Sequence, residues 1–442
     1  MSDWFQRLFH HHHTTRLLRH QFGRGINAQI NPEEPRLFDL AVEAFRADRT
    51  IEAFEYYLRS LENFSQEQPN QNVLIEKAED HLEFTLYQGC AIVRGKITKH
   101  NFGAYAIITT RHLMDVAVKR HLLERNDLLT YANYAIHGSD VILKLSLDNT
   151  TMTPQKIFYP LRELALNADY EKEYLHYHYE KQEMVEVEHL QALDENELQI
   201  KYDAMQEWIA ACQKELTQLP SNDNISMISF TLLSLIFQID YLLVPHGDIM
   251  QEIFEKVNSF FTEDERLVEQ KNDELLTFVQ KLQALDFESF KSYFYKAKMT
   301  FSPTEHTTTE ELNMFIEGAL EKYRWFKHHR YTHVASTINQ YIPLYILYNY
   351  GLHPSYRELL HLLVEVQNST FFAALEYKPL YDVQTQRFDK SAIIDAIEEA
   401  IIPYQKQFAN LTPFGEALNY TTMDEFSHTY FLNLKNLDYT EL

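Results

Sequence analysis

The chain has 442 residues, too many for one ordinary domain, so two or three folding units are expected. A formal net charge of −24 at pH 7 argues against a nucleic-acid binder, which needs a basic face to neutralise phosphate, and suits a basic partner or simple solubility. With two cysteines, Cys90 and Cys212, there is no disulfide framework and no zinc knuckle, and with ten glycines there is little material for phosphate-binding loops. Two buried thiols in a reducing, cytoplasmic setting are expected, and the 28 tyrosines and 29 phenylalanines should fill cores and interfaces.

Residues 1–34 read as a basic, His-rich leader. Arg7, Arg16, Arg19 and Arg24 outnumber Asp3 over the first thirty positions, and His10 to His13 stand in a row. Trp4, Phe5, Leu8, Phe9, Leu17 and Leu18 have the spacing of a short amphipathic segment, and the uninterrupted apolar stretch of a secretory signal is missing. The leader should be solvated or packed on a domain, with a membrane surface or a partner as the other reading. Gly23-Arg24-Gly25 lacks a preceding strand and reads as a hinge.

From Pro35 to Phe64 two apolar stripes (Leu37, Leu40, Ala41, Ala44, Phe45, then Ile51, Phe54, Leu58, Leu61, Phe64) slip phase near Ala47–Thr50. A helical hairpin with Thr50 as a cap is expected. Gln66–Asn72 is a polar linker. Alternation then predicts a strand through Leu82, Phe84 and Leu86, a Gln88-Gly89 turn, a second strand through Ala91, Val93 and Ile97, and a third over Phe102–Thr109. Thr110 should cap a helix over Arg111–Arg125. In that helix Leu113, Val116, Ala117 and Leu122 form the stripe for the sheet, which leaves Met114, Val118 and Leu123 for a second contact. Two further strands, Thr130–Ile136 and Val141–Leu147, flank a tight turn, and Thr153-Pro154 opens a last helix.

The order helix, three strands, helix, two strands, helix over residues 35–178 resembles the bacterial type III secretion chaperone-like fold, including its YbjN-type relatives. The wording AVEAFRADRTIEAFEYYLRSLENF before the sheet and NYAIHGSDVILKLSLDNTTMTPQKIFYPLRELALNAD closing it carries the resemblance. It covers about a third of the chain and implies an antiparallel sheet that binds a protein segment, with homodimer pairing through the central helix.

Residues 179–199 form an acidic connector, where Glu180, Glu183, Glu186, Glu188, Asp194, Glu195 and Glu197 oppose only Lys181. Residues 200–442 read as helical throughout, a bundle of eight to ten helices punctuated by prolines. Ile225–Val244 has the length of a membrane span, but Ser226, Ser229, Ser234, Gln238 and Asp240 interrupt it, and a buried bundle helix is expected. The fold class is therefore α+β: a chaperone-like N-terminal domain followed by an all-α domain.

No nucleophile motif, phosphate loop or paired-cysteine motif occurs, so no cofactor and no catalytic residue is assigned. His176 and His178 are two apart on a helix and point to different faces. His329 and His333 are four apart and form the one weak metal candidate, with Glu317 or Glu321 in range. Tyr341, Tyr345 and Tyr348, in a run with Pro343, Leu344, Leu347 and Tyr350, are candidates for a peptide-accepting groove. Taken together these features point to a non-enzymatic, cytoplasmic protein-binding module. It would hold a protein or peptide segment on an apolar sheet and helix surface, as a monomer or homodimer, with no membrane span. The alternative is a small-ligand sensor or enzyme with its pocket among the C-terminal helices.

Overall fold

Alternation of apolar residues builds the N-terminal half. The computed structural model describes residues 20–23, 33–62, 72–180, 182–219, 225–263, 265–304 and 307–440. His10–His13, the apolar residues from Trp4 to Leu18, Arg24, Gly25, most of the 66–72 linker, Lys181 and Pro220 lie outside them. The helices Glu33–Arg46 (α1) and Thr50–Ser60 (α2) form the expected hairpin, although Thr50 is a buried first-turn residue and makes no side-chain cap. The strands Val73–Lys77 (β1), His81–Gln88 (β2), Ala91–Thr98 (β3), Asn101–Thr110 (β4), Asn133–His137 (β5) and Asp140–Asp148 (β6) then make one sheet in the order β1-β2-β3-β4-β6-β5, antiparallel throughout. The register sets Val73, Leu86, Val93, Ala106, Leu143 and Tyr134 in one row across all six strands, on the face that carries the core. Phe54, Tyr57 and Leu58 of α2 cover this face together with Ile157, Leu161, Leu164 and Ala168 of helix Pro154–His178 (α4), which Thr153 caps as its sequence predicts.

The structure departs from the sequence pattern in two places. Strand β1 is an addition, because Val73, Leu74 and Ile75 do not alternate. Pairing with β2, from Val73↔Leu86 to Lys77↔Leu82, makes the strand. The central helix does not run from Arg111. Arg111–Leu113 is a 3₁₀ turn, and the α-helix, Val116–Asn126 (α3), starts after Asp115, whose carboxylate accepts the Val118 N–H at 2.9 Å. The later start rotates the apolar stripe. Val118 and Leu122 enter the core, whereas Val116 and Leu123 are 77% and 68% exposed.

The C-terminal half has nine described helices of 12 residues or more, within the expected range. They are Glu195–Gln218 (α5), Ile225–Gln238 (α6), Gly247–Thr262 (α7), Val268–Gln283 (α8), Thr309–His328 (α10), Thr332–Asn349 (α11), Pro354–Gln367 (α12), Lys390–Ile401 (α14) and Met423–Lys435 (α15). Phe287–Lys291 (α9) and Ser369–Ala374 (α13) are short. Helix α6 runs on into a π-helical turn at Ile239–Leu243. That apolar stretch is long enough to cross a membrane, but 72% of it is buried in the protein, as a core helix would be.

The connector is not a free linker. Gln182 is buried, and its side chain accepts from the Thr109 hydroxyl at 2.7 Å and donates to the Leu113 carbonyl at 2.5 Å. Glu186 pairs with Arg94 at 2.8 Å, His189 bonds the Gly89 carbonyl at 2.9 Å, and Gln191–Ala192 (β7) pairs with Tyr295–Lys296 (β8). Helix α5 begins at Glu195, inside the acidic run. The segment that ends in Phe301 returns to the sheet and buries that ring in its core.

Candidate functional site

The tyrosines of α11 recur at positions 341, 345 and 348, a spacing that stacks them on one helix face. The structure brings two of them to a cleft. Tyr341 lines it together with Phe230 of α6, Phe260 and Phe261 at the end of α7, Val268 at the start of α8, and Trp325 and Phe326 of α10, around a volume of about 430 Å³. The Phe230 ring meets Tyr341 edge-on at 5.1 Å. Tyr345 stacks on Phe315 at 4.3 Å and touches the edge of Phe261 at 5.6 Å, so it buttresses one wall, whereas Tyr348 packs inward on Phe237 at 4.8 Å. Burial holds the Tyr341 phenol far above its ordinary pKa and pushes Tyr345 up to about 12, so both hydroxyls are neutral.

The outer lip of the cleft is apolar and wet. Trp325 is 50% exposed, Phe261 and Val268 about as much, and Lys322 holds its ammonium 5.3 Å from the Phe230 ring centre. Among the described residues no carboxylate pairs with Lys322. The Trp325 ring is fixed in place by His329, which stacks on it at 4.0 Å and donates from Nδ1 to the Trp325 carbonyl at 2.7 Å. The candidate metal residue His329 is thus a prop for the cleft. The side chain of His333 lies outside those described, and Glu317 is paired with Lys435 at 3.2 Å.

The expected apolar sheet surface is closed. One face is filled by α2, α4 and Phe301. The other is mixed: Lys96 is bonded to Glu83 at 3.0 Å and Arg94 to Glu186, and these charged side chains share with Leu74, Tyr105 and Ile142 a cleft of about 550 Å³. Of the three residues assigned to a contact on the central helix, Val118 is inside the core, Met114 is half-buried beside it and Leu123 is exposed, next to Val116, Arg120 and Glu124.

A charged group that the sequence did not reveal lies where α4 meets the helical half. Glu171, Lys172 and Glu173 are all buried on α4. Glu171 is bonded by His121, by the Tyr134 hydroxyl at 3.2 Å and by Arg125 at 3.3 Å. Lys172 donates to the Cys90 carbonyl at 2.5 Å. Glu173 accepts from the Tyr295 hydroxyl and from the Gly247 N–H at 3.0 Å, with His246 stacked on Tyr295 at 3.9 Å. The Cys90 sulfur and oxygens of Asp169 and Glu173 come within 4.8 Å of one another, which is metal-ligand spacing. The donor set does not suit an ion. Asp169 already accepts the Cys90 N–H at 2.7 Å, burial drives the thiol well above its usual pKa and the two carboxylates add to this, and the Lys172 charge is adjacent. The group is a hydrogen-bonded seam. His176 and His178 bond separate carbonyls, of Gln182 and Tyr174. An alternating charge triplet on a helix looks like a solvated face, so nothing in the sequence marks this one as buried.

No known protein family matches the chain, and no curated protein is significantly similar to it.

Proposed function

We propose that the chain is a non-enzymatic protein-binding protein whose cleft between α6, α10 and α11 takes the apolar side of a helical segment. The observation that carries this is the exposed aromatic lip formed by Trp325 and Phe261 above a floor of Phe230 and Tyr341. Apolar surface left in water costs roughly 25 cal/mol per Å², and a groove bounded by helices is the usual receptor for an amphipathic helix. Lys322 at the rim favours an acidic residue on the segment. The antiparallel sheet and most of the element order of residues 35–178 support the resemblance to a type III secretion chaperone-like domain, to which β1 adds a sixth strand. Because the apolar face of that sheet is filled from within the chain, the client site is assigned to the helical half. The two free, buried thiols suit a cytoplasmic setting, which is part of the same proposal.

The alternative, a small-ligand sensor, draws on the cleft volume, which falls within the roughly 300–1,000 Å³ common for such pockets. A photo-crosslinking residue at position 261 of the full chain, exposed to extract of the source cells, separates the two. A discrete protein adduct that is lost in Trp325→Glu and absent for a label at Lys214 supports segment binding. No adduct, together with a small molecule retained in native mass spectrometry, replaces that reading with the sensor.

A further inference from the structure

The helical half already holds one short piece of its own chain. His20–Gly23, a described part of the leader, lies against α12, α13 and the π turn at Ile239–Leu243. The Phe22 ring is buried, 5.0 Å from Phe372, 5.2 Å from His361 and 6.2 Å from Tyr377. Its neighbours on either side are tied by backbone bonds. The Gly23 N–H donates to the Tyr241 carbonyl at 2.7 Å, and the His20 N–H donates to the Tyr377 hydroxyl at 3.1 Å. The His20 ring also lies 3.8 Å from the buried Glu197 carboxylate.

The sequence explains why that carbonyl can accept. In an α-helix the Tyr241 oxygen would take the N–H of residue 245, but residue 245 is proline and has none. Residue 246 donates elsewhere, to the Tyr293 carbonyl at 2.8 Å. The π turn therefore presents a carbonyl acceptor at the edge of an aromatic pocket, the arrangement that receives a peptide N–H. Position 23 is specific for glycine on two counts. Its φ is +69°, and a Cβ there would lie 2.8 Å from the Tyr241 ring. The floor is ordered by the Tyr241 hydroxyl bonded to His361 Nδ1 at 2.8 Å.

We propose that this recess is a peptide-docking site that recognises an aromatic residue followed by glycine, and that the leader fills it in cis. A second segment of the same chemistry binds only by displacing the leader. The site is separate from the Trp325 cleft and stands without it.

A labelled peptide of residues 16–27, RLLRHQFGRGIN, tests this on the full chain. It should bind Phe22→Ala, whose recess is vacated, at least tenfold more tightly than it binds the unaltered protein. The same peptide with its phenylalanine or its first glycine changed to alanine should bind neither. Should circular dichroism show Phe22→Ala unfolded, Gly23→Ala vacates the recess by backbone strain and takes its place. In the unaltered protein the Gly23 amide should exchange slowly with deuterium. Equal binding to both proteins, no binding to either vacated variant, or a fast Gly23 amide overturns the proposal. Binding that disappears in Trp325→Glu also overturns it, since the peptide would then lie in the other cleft.

Discussion

Gln88 grips the backbone of Phe301 from 213 positions away. Its side-chain oxygen accepts the Phe301 N–H at 2.8 Å, and its amide donates to the Phe301 carbonyl at 3.2 Å, as a neighbouring strand would. The ring beyond enters the sheet core and meets Phe158 edge-on at 5.7 Å. The two halves therefore share a core residue. Phe301→Ala should lower stability by about 3–5 kcal/mol, the range for truncating a buried aromatic, in urea unfolding followed by circular dichroism. A loss below about 1 kcal/mol would mean that the strap is a surface ornament.

The acidic connector at 179–199 is bonded to the sheet domain over part of its length. Gln182, Glu186 and His189 are each bonded to the sheet domain, so Glu183, Glu186 and Glu188 should resist a Glu-specific protease under native conditions. Early cleavage there, read by intact-mass spectrometry, would show that these bonds do not persist in solution.

What was legible in the sequence follows from how local its causes are. The alternation of Val141, Leu143, Leu145 and Leu147 needs only its own strand, and the Thr153-Pro154 helix start needs only its own first turn, so both were read correctly. Strand β1 depends on its partner, and the VLIEK pattern alone carries no alternation to betray it. The helix at Val116 was misplaced because Thr110 and Asp115 are both good caps, and the 3₁₀ turn between them is decided by tertiary packing. In the cleft, the spacing of the α11 tyrosines placed Tyr341 and Tyr345 together. Phe230, Phe261 and Trp325 come from helices up to about a hundred positions apart, a juxtaposition that no local pattern encodes.

Glu358, near the start of α12, has its carboxyl pushed up to about 8 by burial, with Glu399 adding to the shift and Arg357 opposing it. The raised value sets the sign. Unfolded, the group ionises near 4.5, so the stability that it supports is complete below that pH and is lost as the pH rises through about 8. Glu358→Gln cannot ionise. Its stability relative to the unaltered protein should rise between pH 5 and pH 8, by on the order of 2 kcal/mol once solvent contact is discounted, and then level off. Urea midpoints at pH 5, 7 and 8.5 measure this, and a difference that does not change with pH would refute the shift.

The central helix offers the sharpest contrast between neighbouring side chains. Val118 is fully buried and Leu123 is 68% exposed, so the same substitution should cost far more stability at the first than at the second. Val118→Glu places a carboxylate in the sheet core without a partner and should cost more than about 3 kcal/mol, enough to leave little folded protein. Leu123→Glu should change stability by less than about 0.5 kcal/mol. The resemblance to secretion chaperones makes this face the proposed pairing surface of a homodimer, and Val116 and Leu123 are its apolar residues. Light scattering should therefore show a dimer that Leu123→Glu converts to a folded monomer, whose melting temperature no longer depends on protein concentration. A protein that is already monomeric at high concentration, with Leu123→Glu indistinguishable from it, would remove the pairing surface and with it the part of the resemblance that rests on this helix.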